Sequence, residues 1–556
     1  MKQAVYFFEK YLSLLVVILA IATVSVCFFF PVYTDEIAWK VILGRYWADG
    51  NKALAQSLIP SCGPYAYSVP LILLPFRIFY QWINHFLTTP LSIRLFGIST
   101  ALVTLFIIWK LFSDVTHNSI KNKTIALCII AFATLGVMPF MLIISRPEQI
   151  LLLCITIFFI PLLNNTKKND SLFRTGRNAM SLLILAGIML TAHPKAIFAL
   201  PLVLLSFYRL ITLRILSFIC IFVIVIFSAI QFNDWSTRWS CDSNPIMAAY
   251  LRYVNLSEVK NITEFKVYFF ALLKSLTHAK GWYIYFIVPK MWYVSNMIPP
   301  YTTQLALQFG NLLFYLLTGV VIISFSVFVF NFIKNRKDNS YLISYLAIAS
   351  LWFFYLASLI TRIDKNDYES ALILPLLAFA VSGTLYILER TLKSNKQFYY
   401  YTMRMSFYGL LIFSIISQFI LIITYTPYIF VMEDWKRPGY PRTQHFSVSN
   451  FGYNQLRSKI TEAAEKCGIR ASNHPHHLVV DELTYFNFRD SYQPFFMTYL
   501  DENGWGRNQL DLTTLLIHYR SAGIIVGCQW IPTALRNQAI HDGKFCCLPA
   551  FKKKTT

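Results

Sequence analysis

Two adjacent acids, Asp35 and Glu36, follow the first long apolar stretch of the chain, just past Pro31, where a membrane-spanning segment would meet water. Neighbouring carboxylates repel one another and are costly to desolvate, so at such a boundary they are either used or compensated. An acid there can take a proton from a hydroxyl, and cations brought beside it can offset negative charge. Candidates occur in order along the chain: Arg94, Arg146 with Glu148, and His193 with Lys195. Each of these groups also has a plainer reading. An acid pair after a membrane helix can be solvated loop, and Arg146-Pro147-Glu148 can be an ion pair closing a helical hairpin.

The elements that must position these residues are apolar spans. Of the 556 residues, 56% are hydrophobic and only 14% charged, against about 25% charge in a soluble domain. The formal net charge of +22 would suggest nucleic acid in a soluble protein. Here Lys and Arg sit mainly in short gaps between apolar runs, which is a topology signal and excludes a nucleic-acid reading. At about 20 residues per span, helices are expected near 11–31, 92–112, 124–144, 149–163, 179–192, 196–208, 215–232, 306–333, 341–360, 371–388 and 405–428.

Alternate gaps are basic, carrying Lys121 and Lys123, Lys167 to Arg177, Arg209 and Arg214, Lys334 to Lys337, and Arg390 to Arg404. The positive-inside rule puts them on the cytoplasmic side. The segments 33–90 and 233–305 and the tail then face outward together, with the candidate acids and cations. The first span is too long for a secretory signal core and is expected to remain as a helix.

After about residue 430 the chain becomes polar. A helix-like run from Gln455 to Cys467, a strand-like His477 to Val480, a helix near 512–519 and a strand at 523–526 predict a small α/β domain. The expected organisation is thus a mainly α transmembrane bundle of about eleven helices over 1–429 and an outer α/β domain over 430–556. His474, His476 and His477 have no standard metal-ligand spacing and read as loop. Cys62, Cys241, Cys467, Cys528, Cys546 and Cys547 fall on the outer side, where an oxidising compartment permits disulfides.

The ordered set of motifs resembles the GT-C superfamily of integral-membrane glycosyltransferases that use polyprenyl-phosphate-linked sugars. The resemblance is strongest to the branch of protein O-mannosyltransferases and lipid A aminoarabinose transferases. It rests on Asp35-Glu36 followed by an aromatic-rich stretch ending at Gly50, on Pro64-Tyr65, on Arg94-Leu95 opening the second span, on Arg146-Pro147-Glu148, and on His193-Pro194-Lys195. It covers roughly the first 210 residues. Ser68-Val69-Pro70 departs from it, since many relatives carry a basic residue before paired prolines there.

The resemblance implies an inverting transfer from a polyprenyl-phosphate sugar, with Asp35 as base and Glu36 beside it. Glu148 would orient the acceptor, assist Asp35 or help bind a cation. Arg146, Lys195, His193 and Arg94 would hold the donor phosphate. No metal site is assigned, although a divalent cation is compatible with the chemistry. The acceptor is a lipid, a glycan or a protein hydroxyl, and the expected location is a bacterial inner membrane with the site facing the periplasm. Two other classes share parts of the pattern. A glycan polymerase or ligase would depend on Arg238, Arg252 and His278 instead, and a transporter would carry its charges at the middle of its spans.

Overall fold

The computed structural model describes residues 2–28, 86–115, 138–143, 147–163, 172–192, 194–239, 300–335, 341–360, 367–391, 453–467, 478–480, 485–488, 523–527 and 545–548, with isolated helical positions between 412 and 422. Asp35, Glu36, Arg146 and His193 lie outside these residues, as do most of the expected outer segments 33–90 and 233–305. The same holds for 124–137, for most of 405–428 and for the helix expected near 512–519.

The described residues are mainly α-helical. The helices, numbered among the described residues, are α1 (Lys2–Phe28), α2 (Pro90–Val115), α3 (Met138–Ile143), α4 (Pro147–Leu163), α5 (Leu172–Ala192), α6 (Leu200–Leu210) and α7 (Arg214–Trp239). They continue with α8 (Pro300–Asn335), α9 (Leu342–Ile360) and α10 (Asp367–Thr391). Each begins or ends within a few residues of an expected span, because long unbroken apolar runs leave helix as the way to satisfy every backbone group away from water. Helix α5 begins at Leu172, well before the expected 179. Its first turns lie beyond the apolar band and are held by Thr175, whose hydroxyl pairs with that of Thr212 at 2.7 Å. The expected span 196–208 divides in two. A 3₁₀ helix covers Pro194–Ala199, and the α-helix begins at Leu200 with Pro201 at its start, where a missing N–H costs nothing.

Helix α4 is the centre of the bundle. It packs against α2, α5, α6, α9 and α10, and Leu151, Leu152, Cys154, Ile155, Phe158, Phe159, Ile160 and Leu162 are all buried. A helix apolar on every face belongs in an interior. The outer helices instead turn large apolar side chains outward. Ile18 and Ile21 of α1, Ile215, Phe218, Phe222 and Ile230 of α7, and Ile322, Phe330 and Ile333 of α8 are exposed. So much outward apolar surface is unsuited to water and suited to lipid. By length and composition, the windows Leu91–Ile108 and Thr318–Asn335 are long and apolar enough to cross a membrane, and shorter apolar windows occur in α1, α4, α5, α7, α9 and α10.

Where lipid surrounds a bundle, helices gain little from burying apolar area, and close backbone approach and interhelical hydrogen bonds matter more. Several such bonds converge on α4. Ser206 donates to the Phe158 carbonyl at 3.1 Å, Ser344 to the Leu162 carbonyl at 3.2 Å, and Tyr386 to the Leu163 carbonyl at 3.4 Å. Between α9 and α10, Trp352 Nε1 donates to Thr384 Oγ1 at 3.3 Å.

Beyond residue 450 the described elements are α11 (Tyr453–Lys466), β1 (Leu478–Val480), α12 (Tyr485–Phe488), β2 (Gly523–Gly527) and β3 (Phe545–Leu548). The three strands form a parallel sheet in the order β1-β2-β3, with Leu478 opposite Gly523 and Ile524 opposite Phe545. Helix α11 and strands β1 and β2 coincide with the runs expected from sequence, whereas β3 was not anticipated. Its Phe-Cys-Cys-Leu run is too short to show a period of its own. Helix α11 buries Ile460 and Ala464, and α12 is tied to it by Asn487 Nδ2, which donates to the Arg457 carbonyl at 2.8 Å. On its exposed face, Lys466 donates to Glu462 at 2.7 Å and holds that carboxyl below its ordinary value. Cys467, just past the helix, is disulfide-bonded.

Candidate functional site

The bundle has two distinguishable ends. At one, Leu162 and Leu163 of α4 meet Ser344 at the start of α9 and Tyr386 near the end of α10. Asn335, the last residue of α8, donates to the Tyr345 hydroxyl at 3.2 Å. The start of α5 meets the α6–α7 turn through Thr175 and Thr212. In that turn Ser217 donates to the Phe207 carbonyl at 3.0 Å, and the Arg214 guanidinium stacks 4.4 Å above the Tyr208 ring. The described residues at this end include Arg177, Arg209, Arg214 and Lys334, all from gaps that the sequence groups as basic.

The opposite end carries the candidate chemistry. Glu148 stands in the first turn of α4, directly after Pro147, and is 4% exposed. An acid there complements the positive end of the helix dipole, and Pro147 occupies a first position that needs no N–H donor. The fifteen steps from Glu148 to Leu163 rise about 22 Å at about 1.5 Å each, so Glu148 and the basic end are separated by most of a bilayer's hydrocarbon thickness.

Lys195 is brought to the level of Glu148 by two contacts lower in the bundle. Cys154 Sγ lies 3.9 Å from the Leu185 carbonyl. Cys154 is seven residues inside α4 from Pro147, and Leu185 is seven inside α5 from Ala192. The Ser206 bond to Phe158 repeats the relation on α6, since Ser206 follows Lys195 by eleven residues and Phe158 follows Glu148 by ten. Lys195 therefore sits at the same end as Glu148, half-buried in the 3₁₀ helix. Asp367, the first residue of α10, lies there too, because Tyr386 fixes the far end of that helix against Leu163.

Arg94 joins this end from α2. It is fully buried, and its Nη1 donates to the Cys27 carbonyl at 2.8 Å and to the Phe28 carbonyl at 3.3 Å. Those are the last two residues of α1, whose carbonyls have no partner within their own helix. The same end is closed by Gln149, whose Nε2 donates to the Leu142 carbonyl of α3. Helix α3 in turn packs on α1 and α2.

The structure thus brings three of the sequence candidates, Arg94, Glu148 and Lys195, to one end of the bundle. Asp35, Glu36, Arg146 and His193 lie outside the described residues, as do Arg252 and His278. Gln149 was not singled out from sequence. Its signal in the sequence is its place as the last polar residue before the apolar stretch from Ile150 to Ile155. Among the described residues no group of three or more His, Cys, Asp or Glu stands together as a metal site.

No protein-family model matches the chain, and no curated protein matches it. Among solved structures, it is similar to ArnT from Cupriavidus metallidurans bound to undecaprenyl phosphate, at 13% identity and a TM-score of 0.39, over 87% of this chain and 86% of that one. It is also similar to the archaeal oligosaccharyltransferase AglB from Archaeoglobus fulgidus in complex with an inhibitory peptide and a dolichol-phosphate. There the identity is 11% and the TM-score 0.42, over 94% of this chain and 70% of that one.

Proposed function

We propose that the chain is an integral-membrane glycosyltransferase that moves a sugar from a polyprenyl-phosphate donor to an acceptor hydroxyl at the outer membrane surface. The observation that carries this reading is the convergence of Arg94, Glu148 and Lys195 at the end of the bundle opposite the basic gaps. A donor whose lipid tail cannot leave the bilayer must be met at such an end, where its phosphate reaches the interface. A transporter reading is disfavoured by the same placement, since its charges would lie midway along the helices.

In this reading the Asp35 carboxylate accepts the proton of the acceptor hydroxyl. The oxygen so freed bonds to the anomeric carbon from the face opposite the phosphate, and the bond from that carbon to the phosphate oxygen breaks with its electron pair on the phosphate. One inversion results. Arg146, His193 and Lys195 are the cations that offset the developing charge on the leaving group. Glu36 neighbours the base, and Glu148, buried at the head of α4, orients the acceptor or assists Asp35. Asp35 and Glu148 are carboxylates suited to proton transfer near neutral pH only if neighbouring cations and burial balance one another. The outer side is the periplasm of a bacterial inner membrane, and the polar tail, with its parallel sheet and disulfide-bonded Cys467, is a second domain over 430–556 on that side.

The test is transfer of radiolabelled sugar from a mixed pool of polyprenyl-phosphate sugars, with a membrane-lipid extract as acceptor, by wild type and Asp35→Asn in parallel. Transfer lost in the variant alone is the expected result. Equal transfer by both would remove Asp35 as base and move the chemistry to the arginines of the 233–305 segment, as a polymerase or ligase requires.

A further inference from the structure

We propose that Arg94 is a positioning residue, clamping the last two carbonyls of α1 and so fixing the point from which the chain runs on to Asp35, and that it is not a ligand of the donor phosphate. Its side chain is fully buried, and one guanidinium nitrogen serves two carbonyls from residues 67 and 66 positions earlier in the chain. A buried cation is costly unless compensated. Here the negative end of the α1 dipole and the two carbonyls that accept from Nη1 supply compensation. Phe28 ends α1, and Asp35 follows only seven residues later. Seven residues of chain reach at most about 25 Å, so the end of α1 bounds how far away Asp35 can lie.

Two further contacts extend the clamp to the other side of the site. Thr89 and Ser92 exchange hydrogen bonds ahead of Arg94, with Thr89 N to Ser92 Oγ at 3.0 Å and Ser92 N to Thr89 Oγ1 at 3.1 Å. This caps the start of α2 and holds Arg94 in the first turns. Gln149 binds the end of α3 to the start of α4, and α3 packs on both α1 and α2. The helix end that leads to Asp35 and the helix start that bears Glu148 are therefore coupled through Arg94 and Gln149. A fully buried guanidinium that donates to these carbonyls is turned to the protein interior.

The catalytic consequence rests on the glycosyltransferase reading above, whereas the clamp itself does not, and the experiment separates the two. Full-length wild type, Arg94→Lys and Arg94→Leu are compared in lipid nanodiscs by amide hydrogen exchange, by binding of undecaprenyl phosphate and by sugar-transfer kinetics. In Arg94→Leu the amides of residues 24–28 should exchange about tenfold faster or more, the size expected on losing a hydrogen bond to a charged group. Affinity for undecaprenyl phosphate should hold, and kcat should fall with donor KM near that of wild type. Arg94→Lys, which keeps the charge on a single head, should restore part of both exchange protection and kcat, and it carries the comparison if Arg94→Leu does not fold. Unchanged exchange at 24–28 together with weakened undecaprenyl phosphate binding would overturn the proposal and make Arg94 a phosphate ligand. Exchange and binding as expected, but no transfer even by wild type, would sink the enzymatic reading and leave the clamp standing.

Discussion

Gly383 of α10 faces Phe159 of α4 so closely that a Cβ at position 383 would stand 2.9 Å from Phe159 Cζ and equally near Ile348 Cγ1 of α9. Three helices meet at this point without room for one more methyl group. The ring of Phe159 also packs edge-on against Phe379 at 6.1 Å, so it cannot easily withdraw. The contact lies eleven residues along α4 from Glu148, and the depth at which that helix sits in the bundle is set partly here.

Gly383→Ala should destabilise the protein despite the gain in helix propensity of about 1 kcal/mol that alanine brings. Overpacking of a tight core costs about 1–3 kcal/mol, and Gly383→Leu should prevent correct assembly. Thermal unfolding in detergent measures both. A raised Tm for Gly383→Ala would mean that Phe159 and Ile348 yield freely and that the close approach is not a constraint.

Removing the proposed phosphate cations should act on the donor. Arg146→Ala and Lys195→Ala are each expected to raise the donor KM more than the acceptor KM. One lost charged hydrogen bond, about 1.5–3 kcal/mol, corresponds to a tenfold effect or more. Steady-state kinetics varying each substrate in turn makes the distinction. Equal loss for both substrates would take these residues away from the phosphate.

Gln149→Leu should loosen the turn between α3 and α4 while keeping the apolar volume. The Leu142 carbonyl then loses its side-chain donor in a buried place, at a cost of about 1–3 kcal/mol. Lowered thermal stability and lowered transfer activity are expected together, because Glu148 is the neighbouring residue. Full activity at lowered stability would show that the position of Glu148 does not depend on this bond.

Sidedness can be read directly. A cysteine placed at Glu36 should react with a membrane-impermeant maleimide added to intact cells, whereas one placed at Lys337, in a basic gap, should react only after permeabilisation. The reverse pattern would invert the assignment of the two ends.

The disulfide at Cys467 gives a further check on the outer compartment. Cys467→Ser should leave one additional titratable thiol in the denatured protein and lower the stability of the tail by about 2–5 kcal/mol, as loss of a native disulfide does in small secreted domains. Loss of tail protection in hydrogen exchange, with the bundle unaffected, is the expected pattern. A thiol count lowered by one would mean that the bond is not formed in the membrane preparation.

The helices were legible in the sequence because the constraint that makes them is local. Apolar runs near 92–112, 149–163 and 341–360 have to be helical wherever lipid removes water from the backbone, and the observed α2, α4 and α9 lie within a few residues of those bounds. Basic gaps sorted the two ends for an equally local reason, since charge follows topology. The sequence also supplied the residue types that can do chemistry, down to Glu148 and Lys195. Tertiary structure alone decided what each of them does in the bundle. Arg94 reads as one more cation at the mouth of a span until the Cys27 and Phe28 carbonyls appear beside it, brought there by packing across 67 residues of chain. Gln149, unremarked in sequence, closes on Leu142 because α3 returns alongside α1 and α2. Gly383 looks like a weak point in a helix until Phe159 and Ile348 arrive from two other helices. Such contacts depend on which helix lies beside which, and no periodicity in a single apolar run encodes its neighbours when every run is apolar on nearly all sides.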